Sequence, residues 1–327
     1  MQGRDALNAQ RLWGWKVALH LFLVGMGAGI YLAGILQGMV INASGLVPGS
    51  RVAVTAAVLV VAGMICIFSH MGYKPNVLKA FVRVSSSWLA RGSVITVVFL
   101  ILVLIHAVIL FRSHSPLQTL AGVNLLLGVV TSVFALLVLI YSGMVLKALK
   151  PFAFWNTWLL PLLFVISGIS IGIMALAFLM SAFPPFAGRA AALTFRVLFY
   201  SNNLAIIIQA AVLGLYLRRS YSSSVNSFLI ITRGYHAATF WVGVVAAGLV
   251  VPFVFGVYFL SGTAGVSGVN PVWLFLCTGI GIIGGYPLRY SILSAGTTMP
   301  VNVQGEMVPL PADARIPASR RVNYHPG

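Results

Sequence analysis

Apolar residues run along this chain in long unbroken stretches, not in alternation. Eight stretches are long enough to cross a bilayer as helices: about 14–40, 52–72, 93–112, 118–146, 155–183, 192–217, 234–261 and 271–290. Turn residues separate them, as at Asn42–Ser44–Gly45–Pro48, Ser113–His114–Ser115–Pro116, Pro184–Pro185 and Ser261–Gly262–Thr263. Strands of alternating polarity are missing, which excludes a transmembrane β-barrel. After about residue 295 the pattern ends. Pro300, Pro309, Pro311, Pro317 and Pro326 punctuate a polar stretch, read as an extended surface tail. The expectation is an all-α integral membrane protein of eight transmembrane helices, arranged as two four-helix bundles over 1–294, with a polar Pro-rich C-terminal tail over 295–327. The Ser222–Ser224 run reads as a loop.

Composition narrows the chemistry. Of 327 residues 60 % are hydrophobic and 7 % charged, against about 25 % charged in soluble domains. The only acids are Asp5, Glu306 and Asp313, all in the terminal segments. No span carries a carboxylate, which weighs against carboxylate proton relays, carboxylate-ligated metals and paired-carboxylate hydrolysis. Cys66 and Cys277 stand alone in apolar runs, so no Fe–S cluster or zinc spacing is encoded. The first apolar run is too long for a signal-peptide core and is expected to stay as an anchor.

The formal net charge is +17, but the bases lie between apolar runs, which points away from nucleic acid and toward loop charges. An even number of spans puts both termini on one side. That terminal side carries sixteen of the twenty Lys and Arg, leaving Arg51, Arg112, Arg189 and Arg196 opposite. The positive-inside rule then places both termini in the cytoplasm. A basic face can alternatively serve to dock an acidic partner.

Three segments carry a resemblance. Trp13-Gly-Trp15 leads into Leu19–Ala33, a Gly-rich opening helix. Lys74-Pro75 precedes Ser85-Ser-Ser87-Trp88-Leu-Ala-Arg91-Gly92. Gly284-Gly-Tyr-Pro-Leu-Arg289-Tyr290 runs on to Ala295-Gly296. Together they resemble the NrfD/PsrC family of membrane subunits from polysulfide reductase-like and nitrite reductase-associated complexes. The resemblance implies a quinone-reactive anchor. It would bind menaquinone or another quinone as substrate and exchange electrons with a ferredoxin-like Fe–S subunit, itself joined to a molybdopterin catalytic subunit. Neither haem nor Fe–S is implied for this chain. Some relatives are proposed to move protons through intramembrane carboxylates, and here no span holds an acid to carry such a path.

Quinone chemistry needs an apolar slot, a hydrogen-bond donor to each carbonyl and a proton route, and His and Tyr are neutral donors of low burial cost. Span positions put His20, His70, His236, Tyr141, Arg91 and Arg289 in the terminal-side leaflet. His20 and Tyr141 are the expected quinone-contacting pair, in line with the His and Tyr that the family places in its first and fourth helices. Ser87, Trp88 and Arg91 are expected to shape the mouth beside a partner. The bland alternatives are a helix–helix hydrogen bond for His20, an interfacial belt for Tyr141 and Trp88, and a snorkelling cap for Arg91. Arg289 alternatively pairs with carbonyls or headgroups. His106 and His114 lie toward the opposite face, where a proton exit is conceivable, and His20 with His70 is a conceivable haem pair. Gly25-Met-Gly-Ala-Gly29 has no preceding strand and is no dinucleotide loop. Gly25 and Gly29, like Gly34 and Gly38, read instead as small faces for close helix packing. The competing functions are a secondary transporter, disfavoured by the absence of a visible repeat or membrane acid, and a purely structural anchor that binds lipid.

Overall fold

A computed structural model describes residues 13–41, 49–70, 87–112, 121–182, 189–261, 271–297, 300–303 and 306–309. Eight helices in it are long and apolar enough to cross a membrane. They coincide with the eight apolar runs, because in lipid every backbone N–H and C=O must be satisfied within the segment. The first six are α1 (Trp15–Ile41), α2 (Ser50–His70), α3 (Trp88–Arg112), α4 (Ala121–Lys147), α5 (Leu159–Ala182) and α6 (Arg189–Ser223). A short α7 (Val225–Thr232) follows. The seventh span opens as a π-helix (Thr239–Val250) and continues as α8 (Val251–Leu260), and α9 (Pro271–Ser294) is the last.

Packing divides the spans into two four-helix bundles. In the first, α1 packs on α2, α2 on α3, α3 on α4 and α4 back on α1. In the second, α5 packs on α6, α6 on α8, the seventh span on α9 and α9 back on α5. The bundles share a seam in which α1 and α4 lie against α5 and α1 touches α9. Outward faces such as Val58, Ile65, Leu126 and Ile283 are exposed, as a lipid-facing surface requires.

The seam explains part of the glycine pattern. A side chain at Gly29 would strike the backbone of Gly168 and Gly172 on α5, and one at Gly172 would strike Gly29. Backbones that approach so closely gain dispersion contacts that hydrophobic segregation cannot supply in lipid. Gly29→Val is therefore expected to separate the bundles, since backbone cannot swing aside as a flexible side chain can. Melting in detergent should fall by several degrees, or the protein should fail to accumulate. An unshifted melting curve would show that the seam is not close-packed.

Three details differ from the sequence-based expectation. The Ser222–Ser224 stretch is not a loop. Helix α6 runs on to Ser223, and Ser224 alone separates it from α7. The seventh span is irregular where α9 comes nearest: Gly243 is met by the Pro287 ring, and Gly284 lies against Gly248. Lastly, the tail begins with a short antiparallel pair, Pro300–Val303 with Glu306–Pro309.

Candidate functional site

Successive spans alternate direction, so the starts of α1, α3 and α5 share the terminal-side surface with the ends of α4 and α9. His20 lies five residues into α1, Tyr141 six before the end of α4, and Arg289 five before the end of α9. At 1.5 Å per residue all three sit roughly 8–9 Å inside that surface.

His20 is buried, and its Nδ1 lies 2.8 Å from the Gly63 carbonyl of α2. A carbonyl can only accept, so Nδ1 carries the proton and Nε2 is left with a lone pair. The backbone of α2 thereby sets the tautomer of an α1 side chain and leaves it a neutral proton acceptor.

Tyr141 is buried on the other side of the first bundle. Its ring lies directly against Gly92 of α3, where any β-carbon would overlap it. Its hydroxyl makes no hydrogen bond among the described residues and can donate to a ligand. Around Gly92 the rest of the motif forms the first turn of α3. Ser87 precedes the helix and its carbonyl accepts the Arg91 N–H at 3.1 Å. The Arg91 guanidinium lies 5.1 Å from the Trp88 ring centre, a cation–π contact at the level expected for a membrane interface. Ser87, Trp88, Arg91 and Gly92 thus form one turn with Tyr141 packed beneath it.

The fold unites Tyr141 with the Ser87–Gly92 turn and sets His20 at the same depth on the α1–α2 side. No hydrogen bond or ring contact joins His20 to Tyr141. Val17, Ala18 and Leu21 of α1 belong to one apolar cluster with Tyr141 of α4 and Leu163 and Phe164 of α5. A ring nitrogen and a phenolic hydroxyl thus lie at similar depth near one face of the membrane.

Other terminal-side groups play different parts. His236 packs edge-on against Tyr290 with ring centres 5.3 Å apart. Trp155 donates from Nε1 to the Ile292 carbonyl at 2.9 Å and fills the space at Gly296, tying the end of α9 to the α4–α5 connection. The His70 side chain and all of His114 lie outside the described residues. His106 is fully buried, with Nδ1 2.6 Å from the Tyr31 hydroxyl of α1. Its Tyr31 partner carries no sequence signal, because the two positions are related only through the packing of α1 on the rest of the first bundle.

Comparison with known proteins agrees with this architecture. The family model described as "Polysulphide reductase, NrfD" matches residues 5–301. The polysulfide reductase C polypeptide of Wolinella succinogenes is 29 % identical over 310 residues, covering 88 % of this chain and 95 % of that protein. Protein NrfD of Escherichia coli K12 is 24 % identical over 310 residues, covering 87 % of this chain and 95 % of that one. The matched region holds all eight spans, the Ser87–Gly92 turn and both His20 and Tyr141. This chain belongs to the NrfD polysulphide reductase family.

Proposed function

We propose that this chain is the quinone-reactive membrane subunit of an oxidoreductase complex, handling menaquinone or a related quinone beneath a bound Fe–S protein that is linked to a molybdopterin catalytic subunit. One observation carries the reading. An imidazole whose tautomer is fixed by the Gly63 carbonyl lies at one depth with a Tyr141 hydroxyl that has no partner among the described residues, under the Ser87–Gly92 turn. A quinone oxygen needs a donor and a quinol hydroxyl needs an acceptor. This neutral pair supplies one of each without placing a charge in lipid.

The chain's own part is positional and protonic. Tyr141 donates to one ring oxygen, and Gly92 holds the tyrosine ring flat so that the hydroxyl is fixed. His20 Nε2 takes the proton of the other oxygen while Nδ1 stays on Gly63. Apolar residues of α1 and α5 exclude bulk water. A bound quinone would supply two-electron, two-proton chemistry, and the Arg91 turn would face the partner that exchanges those electrons. The basic terminal-side face, with Lys16, Lys147, Lys150, Arg218, Arg219 and Arg233 among its residues, is read as cytoplasmic.

The irregular seventh span and Pro287 in α9 invite comparison with the broken helices of transporters. Those occur at matching positions in two repeats. Here both irregular spans lie in the second bundle and their counterparts α3 and α4 are continuous α-helices, so the redox reading is preferred.

Purification through a tag on this chain in mild detergent, followed by mass spectrometry, tests the proposal. Co-purification of a protein with four ferredoxin-type cysteine clusters is expected. A chain that purifies alone and monodisperse would overturn it. Arg91→Ala should lower the yield of the bound partner or the rate of quinone reduction by about 3- to 10-fold, the scale of one interfacial charge contact. Wild-type yield together with wild-type rate would remove Arg91 from the site.

A further inference from the structure

Arg289 is 0 % exposed, the one Lys or Arg among the described residues that is fully buried. Side chains on a helix lean toward its N-terminus, and α9 starts on the opposite side of the membrane. Arg289 therefore leans away from the nearer surface and cannot snorkel to it. Nη1 donates to the Gly285 carbonyl one turn deeper at 3.1 Å. The guanidinium lies 5.4 Å from the Phe164 ring centre of α5. Nη2 reaches α1, where a β-carbon at Gly25 would stand 3.1 Å away. Nε is buried without a partner among the described residues.

Packing does not account for a guanidinium here. Arginine stays protonated, so the fold holds a permanent charge in its interior, and no spanning helix carries a carboxylate to pair with it. A methionine would fill similar space without the desolvation cost. A buried ionisable group with no counter-ion among the described residues marks a functional position in a membrane protein.

We propose that Arg289 is the counter-charge to a transient negative charge: the anionic, reduced ring of a quinone held between His20 and Tyr141. The inference rests on the quinone reading above. Arg289 shares the depth of both residues, and its platform Phe164 belongs to the same apolar cluster as Tyr141. In quinol oxidation the ring O–H bond breaks, the proton moves to His20 Nε2, and an N–H bond forms. The quinol monoanion left behind gives two electrons, one at a time, to the bound Fe–S protein and its second proton to water, leaving quinone. Quinone reduction passes through the same anion in reverse. The guanidinium need not touch the ring, because its field acts through a poorly screened interior. At a separation on the order of 10 Å and an effective dielectric near 20, a unit charge favours the anion by roughly ten- to twenty-fold. Neutral quinol and quinone gain almost nothing. Arg289 is thus an electrostatic positioning residue for the charged state alone.

The test uses the tagged complex with its partners, a short-tailed naphthoquinol as electron donor, and Arg289→Met and Arg289→Lys variants. Arg289→Met is expected to lower kcat for the quinol about ten-fold with KM unchanged, and Arg289→Lys to stay within about three-fold of wild type. Without added quinol, the Arg289→Met complex should melt at the same or a higher temperature than wild type, since an unpaired buried charge has been removed. Lower melting, or failure to assemble, would make Arg289 a packing staple and overturn the proposal. An unchanged kcat in Arg289→Met would overturn it too. So would an equal loss in a Glu306→Gln, Asp313→Asn double variant, because a tail carboxylate would then be the partner. A wild-type complex that does not oxidise the naphthoquinol at all would instead overturn the quinone reading, and this inference with it.

Discussion

His20→Asn and Tyr141→Phe will each lower quinol-linked turnover by about 100-fold or more while leaving the yield of assembled complex unchanged. The magnitude is the low end of what a positioned acid or base contributes to a proton-transfer step. The choice of substitutions follows from the hydrogen bonds. Asparagine carries its amide nitrogen the same two bonds from Cβ as Nδ1, so an N–H for the Gly63 carbonyl is kept and the basic Nε2 is lost. Phenylalanine retains the ring that fills the space at Gly92 and loses only the hydroxyl. Because Tyr141 makes no internal hydrogen bond among the described residues, a purely structural tyrosine would tolerate the change, as would a belt tyrosine. Steady-state rates with a naphthoquinol, set beside the yield of partner subunit per milligram of membrane, decide the matter. Wild-type kinetics in both variants would strip the two residues of their proposed roles and favour a structural anchor. A loss confined to Tyr141→Phe would leave the donor in place and remove His20 as the proton acceptor.

The eight spans were legible because lipid leaves the backbone few choices, and the hydropathy of each run is sufficient to define it. Their pairing was less legible. Most of these helices are apolar nearly all round, so no stripe marks the inward face, and the seam between bundles shows only in glycines, among them Gly25 and Gly29 of α1 and Gly168 and Gly172 of α5. Gly29 does serve as a small face, against Gly172, while Gly25 makes room for the Arg289 guanidinium. Polarity misled at Ser222 and Ser223. Both hydroxyls bond back to the Arg219 carbonyl, at 2.8 and 3.0 Å, and so remain helical where their composition suggests a loop. The π-turns of the seventh span follow contact with Pro287 and Gly284 of α9, which no local pattern encodes. Arg289 looked like a residue for carbonyls or headgroups because its Cα lies near the end of α9. It does meet a carbonyl, but the lean of the side chain sends it inward. For the proposed site, the depth of His20 and Tyr141 in their spans was readable from the sequence. The Gly63 carbonyl and the face of Gly92 were not, because both lie on other helices.

Gly92→Ala should cost as much activity as the loss of Tyr141 itself, although it touches no ligand. A β-carbon there would occupy the space of the tyrosine ring, so either α3 moves or the ring turns away. Overpacking of this kind costs about 1–3 kcal/mol. A shift of about 1 Å in a hydroxyl that must meet a substrate oxygen is enough for a loss of about 100-fold in rate. The glycine that ends the Ser87–Gly92 motif is then present to admit the tyrosine of α4, and the motif and the proposed site are one device. A double-mutant cycle on melting temperature isolates the contact. Gly92→Ala alone and Tyr141→Ala alone should each destabilise the complex. The double variant should be more stable than their sum by about 1–3 kcal/mol, since the new methyl enters the cavity left by the ring. Additive losses would mean that the two residues do not meet in the folded protein. Full activity in Gly92→Ala would mean that the ring, however crowded, does not need its present position to work.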